Sequence, residues 1–321
     1  MKCIICLKEK ESFSKEHVIP EVLGGVYIIN SVCKTCNSKL GNEVDIKIID
    51  EFASINFRNE HELKGKSGKL PLVFPGTFNN LLNENEKYRF THEENGSITP
   101  TLIRGDVHIE KDNTEENKFH IKICFDESMS KEEMEKQAKK IIEKEMKRRK
   151  MKFDIINQNI KKIDSEVSVS MGIDISSNDS FISILKMAYE FSVSNIEGYK
   201  CDEQGHSIAR ILREASYSQA LNYVNGASIY IRPIDDGIEK IFPSRENKHF
   251  ILLKNFGNKL GAMVYLNGIG FYCVKLSNKE YDFHKRPGGL LLVNDFKEKK
   301  HEITSLYDYI CNCSSGSDLN V

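Results

Sequence analysis

Cys3-Ile4-Ile5-Cys6 opens the chain, and Cys33-Lys34-Thr35-Cys36 follows after 26 intervening residues. Two such CxxC knuckles can wrap one tetrahedral Zn²⁺, each supplying two thiolates from a tight turn. The gap is wider than the usual ribbon spacing, so something substantial lies between the knuckles. Unconnected core cysteines would not fall into two spaced pairs at the start of a chain. A redox CxxC would follow a βαβ pattern, which is absent here. About 45 residues bury little core alone, so the metal would serve as a staple.

Between the knuckles lie Ser14-Lys15-Glu16-His17-Val18-Ile19-Pro20 and then Gly24-Gly25; the second knuckle reads Asn30-Ser31-Val32-Cys33-Lys34-Thr35-Cys36-Asn37-Ser38-Lys39-Leu40-Gly41. Over about residues 1–45 this pattern resembles the HNH, or ββα-metal, endonucleases with a four-cysteine zinc site. Glu62-Leu63-Lys64-Gly65-Lys66-Ser67-Gly68 continues the likeness more loosely. The resemblance implies that Glu16, before the catalytic His17, and Asn37, after the last cysteine, are ligands of a catalytic ion. Asn30 matches a middle Asn whose role in the family is structural, tying the two strands together. Products with 5′-phosphate and 3′-hydroxyl ends are implied as well. Many HNH proteins carry Asp or His where this chain carries Glu16.

The residue types suit phosphodiester hydrolysis, which needs an activated water and charge stabilisation at the leaving oxygen. An imidazole accepts a proton near neutral pH, which suits His17 to the base. Glu16 and Asn37 offer hard oxygen donors that favour Mg²⁺ or Mn²⁺, leaving positions for water and phosphate. On a regular strand, however, Glu16 and His17 point to opposite faces. Both can meet one phosphate only if the chain leaves the strand there, and Pro20 with Gly24-Gly25 makes a break nearby reasonable. His61 reads as a solvated loop histidine before a ligand. Asp45 reads either as a second layer behind the site or, more commonly, as a surface charge near a helix N-terminus.

The chain has 321 residues, 46 Lys and Arg against 47 Asp and Glu, nine Cys and no Trp. That length suggests about two domains, and the near-neutral balance excludes a generally basic protein while allowing a local basic patch. Its longest apolar runs fall far short of the roughly 20 residues of a membrane span. Met1–Lys8 has no apolar stretch suited to export, so a cytoplasmic location is expected and a disulfide framework is not.

The expected fold class is α+β: a zinc-stapled ββα-metal module followed by a mixed antiparallel-sheet and helix domain. The segments are residues 1–65 as the nuclease module, 66–125 as a small antiparallel β region, 126–165 as a basic helical connector and 166–321 as an α+β domain for recognition or regulation. An apolar stripe predicts a helix over Glu43–Phe57. Short apolar segments at Leu70–Phe74, Tyr88–Thr91, Ile98–Ile103, Val107–Ile109 and Phe119–Phe125 predict strands. Ser130 with Glu133 forms a capping box for a helix running to about Phe153. Clean alternation predicts a strand over Glu166–Ile175, and Phe181–Ile196 reads as a buried helix. One or two helices are expected over 204–224. Strands follow at Ser228–Ile231, His249–Leu253, Leu260–Leu266, Ile269–Leu276 and Leu290–Val293, with Asn267-Gly268 as a type I′ hairpin turn. The Cys311–Gly316 tail is expected to fray. Cys124, Cys201, Cys273, Cys311 and Cys313 read as ordinary thiols.

Between residues 131 and 152 there are ten basic and five acidic residues, a net of +5. Lys147, Arg148, Arg149 and Lys150 are candidates for nucleic-acid backbone contact; an exposed helix laced with ion pairs is the alternative. The C-terminal half carries no P-loop, Rossmann fingerprint or nucleophile elbow. Its scattered Arg and Tyr (Arg210, Arg213, Tyr217, Tyr223, Tyr230, Arg232) suit a helix surface better than a nucleotide pocket. The expectation is therefore a metal-dependent endonuclease acting on DNA, double-stranded by preference, in a restriction or phage-defence setting. Two alternatives stay open: a nuclease gated by a small nucleotide bound to the C-terminal domain, and a zinc-stapled DNA-binding protein without catalysis. A homodimer also stays open.

Overall fold

The computed structural model describes residues 1–92, 97–113, 118–150, 161–162, 166–170, 178–229, 236–283 and 286–316. It has two compact units. The first joins Met1–Pro71 to Asp174–Val321, and the second is Leu72–Ile173. The nuclease-like segment thus shares one compact unit with the C-terminal half, whereas the expected segments run consecutively along the chain.

The first unit begins with the hairpin β1 (Ser14–His17) and β2 (Ile28–Val32). Next come α1 (Lys34–Lys39), a π-helical turn (Leu40–Asp45), α2 (Ile46–Ile49) and α3 (Phe52–Glu60). The single helix expected over Glu43–Phe57 is interrupted, because Asp50 closes α2 and Glu51 is extended ahead of α3. The apolar stripe continues across the break, so periodicity alone does not reveal it.

The second unit holds β3 (Phe78–Asn79), β4 (Lys87–His92) and β5 (Ile98–Arg104) in one antiparallel sheet, and β6 (Val107–Lys111) with β7 (Phe119–Ile123) as a separate pair. Leu70–Phe74 is not a strand. Helix α4 (Lys131–Arg148) starts at the expected capping box, in which Ser130 and Glu133 bond each other's backbone. It ends at Arg148, before the expected Phe153; residues 151–153 lie outside the described ones. Of the expected strand Glu166–Ile175, residues 166–170 are irregular and 171–175 lie outside the described residues.

Back in the first unit, α5 (Phe181–Asn195) is buried along nearly its whole length, followed by α6 (Glu203–Glu214) and α7 (Tyr217–Ala220). Then come β8 (Val224–Ser228), α8 (Asp236–Ile241), β9 (Lys248–Phe256), β10 (Lys259–Leu266), β11 (Gly270–Lys275), β12 (Leu290–Asp295), β13 (Lys300–Ser305) and α9 (Leu306–Gly316). The helical α9 replaces the expected frayed tail. The strand expected at Ser228–Ile231 lies earlier, over β8; residues 230–231 lie outside the described ones. The six strands form one antiparallel sheet ordered β13-β12-β9-β10-β11-β8.

Both faces of this sheet are covered, which is why β9 reads as an unbroken Phe250-Ile251-Leu252-Leu253 run. Ile251 and Leu253, with Val264, Leu290 and Leu292, join the large core that includes α5; Phe250 and Leu252, with Tyr265, Leu291 and Val293, pack with Phe242 and Tyr309 on the other side. The β10–β11 connection is a three-residue loop, with Leu266 paired to Gly270 and Gly268 at φ 66°. The Asn-Gly signal therefore marks the hairpin, although the two-residue type I′ turn is not formed. No helix among the described residues is long and apolar enough to cross a membrane.

Candidate active site

The four knuckle cysteines converge, their sulfur atoms all within 4.8 Å of one another. A Zn–S bond of about 2.3 Å in tetrahedral geometry sets sulfurs about 3.8 Å apart, so the cluster can close on one ion. The first knuckle turns tightly, with Leu7 N–H donating to Cys3 O at 2.9 Å and Leu7 at φ 57°. Cys33 N–H donates to Cys3 Sγ at 3.4 Å, and Cys33 caps α1. Burial, followed by the neighbouring cysteines, pushes the Cys36 thiol far up. A bound cation reverses that balance and holds thiolates. The donor set therefore fits a structural zinc ion.

Asn37 lies in the first turn of α1, one residue beyond Cys36, and its side-chain amide donates to Lys15 O at 2.8 Å. Lys15 is the bulged residue of β1, where the pairing slips between Ser14 and Glu16. Zinc knuckle, helix start and base strand are thus pinned at one point. Glu16 pairs with Ile29 and His17 with Ile28, so the ladder runs on through His17. The two side chains accordingly take opposite faces: Glu16 is buried, at 4% exposure, while His17 is half-buried. The His17 ring bonds no described side chain or carbonyl.

Glu16 turns inward onto Lys186, a fully buried residue of α5, at 2.5 Å. The same ammonium donates to Asp45 at 3.0 and 3.1 Å and to His17 O at 2.9 Å. Asp45 is therefore the second layer behind the site, not a surface charge. Burial pushes its carboxyl up to about 6, against the pull of Lys186. Burial would lower the Lys186 ammonium, but Asp45, Glu190 and Glu16 outweigh it and hold the charge. Glu190, 3.7 Å from Lys186, makes no hydrogen bond, and burial lifts its carboxyl well above the ordinary range. Lys186 and Glu190 escaped the sequence reading. The available signal was a Lys and a Glu four residues apart inside an otherwise apolar helix.

The C-terminal sheet holds the loop that follows His17. Asn294 donates to Gly24 O at 2.9 Å and accepts from Val26 N–H at 2.7 Å. Opposite it on β9, His249 donates from Nε2 to Leu23 O at 2.8 Å and accepts at Nδ1 from Asn267 N–H at 3.0 Å. That pairing fixes one neutral tautomer, and burial lowers the His249 pKa to about 4. Glycine is required beside it: a Cβ on Gly25 would overlap the Ile19 carbonyl, and Gly24 sits at φ 81°. Tyr189 donates to Ile4 O at 2.7 Å and Ser183 to Val44 O at 2.7 Å. The irregular backbone of the N-terminal segment is thus bonded by side chains from residues 183–294, as buried carbonyls demand.

Asn30 is exposed and its side chain bonds no described residue, so the implied tie between strands is not formed. His61 lies in the turn that closes α3, as expected of a loop residue, but it is half-buried and not solvated: it packs against Phe57 and Phe296, with ring centroids 4.7 and 4.8 Å away. Lys147, Arg148, Arg149 and Lys150 are exposed at the end of α4 in the second unit. Arg148 pairs with Glu145 at 2.8 Å, and the other three form no ion pair among the described residues.

Residues 3–53 match the family model described as HNH endonuclease. No curated protein and no solved structure matches the chain. The N-terminal segment is therefore an HNH region with a cysteine cluster, and the class it defines is that of nucleases, which use divalent cations. Asn37 Oδ1 bonds none of the described residues, whereas the Glu16 carboxylate faces the Lys186 ammonium in the interior.

Proposed function

We propose that this protein is an endonuclease that hydrolyses phosphodiester bonds in DNA, with His17 as the general base. The observation that supports it best is the half-buried His17 ring, bonded to no described residue, at the end of a strand pinned to the zinc knuckle through Asn37. His17 takes a proton from the attacking water; the water oxygen bonds to phosphorus, and the 3′ oxygen leaves and is protonated by solvent. Asn37 is the oxygen donor available to Mg²⁺ or Mn²⁺, and such an ion supplies Lewis-acid stabilisation when bound. A restriction or phage-defence setting is part of the proposal, to be tested by plating phage on cells carrying the wild-type or His17→Ala protein. In vitro, the test is plasmid cleavage with Mg²⁺. His17→Ala should lose about 10²–10⁴-fold in rate with zinc content unchanged. Equal cleavage by both proteins removes His17 from the chemistry, and DNA binding without cleavage by the wild type favours a non-catalytic module.

A further inference from the structure

A lysine with no exposed surface is rare unless it is paired, and the nuclease reading gives Lys186 no task. Its ammonium has three N–H groups, and three residues accept them: Glu16, Asp45 and the His17 carbonyl. All three acceptors belong to the HNH region, while Lys186 belongs to α5, far along the chain. Two of them flank the base on β1. The third, Asp45, ends the turn that continues from α1, the helix of Asn37. Asn37 links the same strand and helix through Lys15 O. The base strand and the amide-bearing helix are therefore clamped together twice, once by Asn37 and once by Lys186.

Glu16 has a defined place in that clamp. It occupies the face of β1 opposite His17, and its side chain is 5% exposed. To reach an ion bound with His17 and Asn37 it would have to leave Lys186. Withdrawing one partner from a buried pair is strongly destabilising, because the remaining charge stays buried without compensation.

We propose that Lys186 is a positioning residue that fixes His17 from within, and that Glu16 is its buried counter-ion and not a ligand of the catalytic cation. The role given to His17 rests on the nuclease reading above. The pairing of Glu16 with Lys186 does not.

The experiment uses full-length, zinc-loaded protein and three variants: Glu16→Gln, Lys186→Met and the double variant. Mn²⁺ affinity, read by electron paramagnetic resonance, should change by no more than about twofold in Glu16→Gln. Disturbing a ligand shell typically weakens a metal about 10–100-fold. Lys186→Met should lower the urea midpoint, and adding Glu16→Gln should restore part of it, since the second change neutralises the stranded carboxylate. Where Lys186→Met retains its zinc, kcat should fall about 10²-fold with KM little changed, the signature of a displaced base. If that variant does not fold, Asp45→Asn loosens one arm of the clamp and should show the same split at smaller size. A tenfold or greater loss of Mn²⁺ affinity in Glu16→Gln overturns the counter-ion assignment. Strictly additive urea shifts overturn the clamp. A wild type that cleaves nothing ends the nuclease reading, yet the Mn²⁺ and urea results still decide the fate of Glu16. If the wild type binds no Mn²⁺, the urea cycle decides alone.

Discussion

In the first unit a buried apolar core runs from Cys3 through α5 to Phe296, whereas the described residues of Leu72–Ile173 bury only Tyr88 and Met146 among their apolar side chains. The second unit relies on small sheets and on a polar knot, where Asn80 donates to Glu86 at 3.0 Å and Tyr88 donates to the same carboxylate at 3.1 Å. Stability within a chain follows buried apolar contact. The contrast teaches that the motif-bearing segment takes its rigidity from the motif-poor C-terminal half, while the intervening unit is held more loosely.

The largest expected effect falls on the zinc staple. Cys33→Ser should remove on the order of 10 kcal/mol of metal-linked folding energy, more than a typical domain can spare. Because the HNH region and the C-terminal sheet share one core, both should lose structure together. Elemental analysis should give one zinc per wild-type chain and none in the variant, and amide exchange in β9 and α5 should rise along with that in the knuckles. Protection retained in α5 and β9 after zinc loss would show that the sheet stands without its N-terminal partner.

A smaller effect comes from His249, where the shared core holds a neutral imidazole. Its pKa is about 4 against an ordinary 6.5. Between those values the unfolded chain binds more protons than the folded one, so stability rises with pH across the window. It is fully present above pH 6.5 and is lost as the pH falls toward 4, by about 3 kcal/mol. Urea unfolding of wild type and His249→Gln at pH 7.5 and pH 5 should show the wild type losing more on acidification. The zinc cluster is the same in both proteins, so the difference between them isolates the histidine. Parallel losses would mean that His249 protonates as readily in the folded chain as in the unfolded one.

The two regions also differed in how far they could be read in advance. The cysteine pairs are local and their spacing exposes them; His17 and the HNH pattern are local too, and the resemblance they carry made them legible. Of the large sheet, β9 and β12 were legible as continuous apolar runs and β10 and β11 around the Asn267-Gly268 turn, whereas β8 lies earlier than expected and the polar β13 was not foreseen. Lys186 was not legible as a partner of Glu16 and Asp45, since nothing near it in sequence says which acids it will meet 141 residues or more away. For the same reason the anchoring of Leu23 and Gly24 by His249 and Asn294 could not be foreseen. Helix α9 escaped because Cys311–Gly316 is small and polar; its packing comes from Tyr309, whose hydroxyl donates to Pro243 O at 2.6 Å. That the first unit is discontinuous is a fact of tertiary contact, which a linear reading does not contain.

Limited proteolysis would sharpen the comparison. Trypsin should nick residues 72–173 first, where core is thin and Lys and Arg are dense, because cleavage tracks local opening. The fragments carrying residues 1–71 and 174–321 should then stay together on gel filtration and keep their zinc, with the urea midpoint of the first unit changed by less than about 0.5 kcal/mol in equivalent stability. Early cuts in α5 or β9 would reverse the order of stability argued from burial.

The smallest expected effect on folding, and one specific to nucleic acid, lies at the end of α4. Residues 1–60 carry eight basic and nine acidic side chains. Four thiolates around one Zn²⁺ make that segment about two charges more negative. A polyanion therefore needs Lys and Arg from elsewhere, and α4 is the densest source. Arg148 is partly occupied by Glu145, but Lys147 and Arg149 are exposed and form no ion pair among the described residues. Reversing the charge at Lys147, Arg148 and Arg149 should leave unfolding within about 0.5 kcal/mol, as expected of surface sites. DNA affinity should fall by a similar factor for any sequence, and the slope of log K against log salt should become shallower by up to about 0.9 per lost phosphate contact. Arg148 should contribute least of the three when reversed alone, since Glu145 already neutralises part of its charge. An unchanged slope in the triple variant would leave α4 a solvated helix and move the search for phosphate contacts to the basic residues of the first unit.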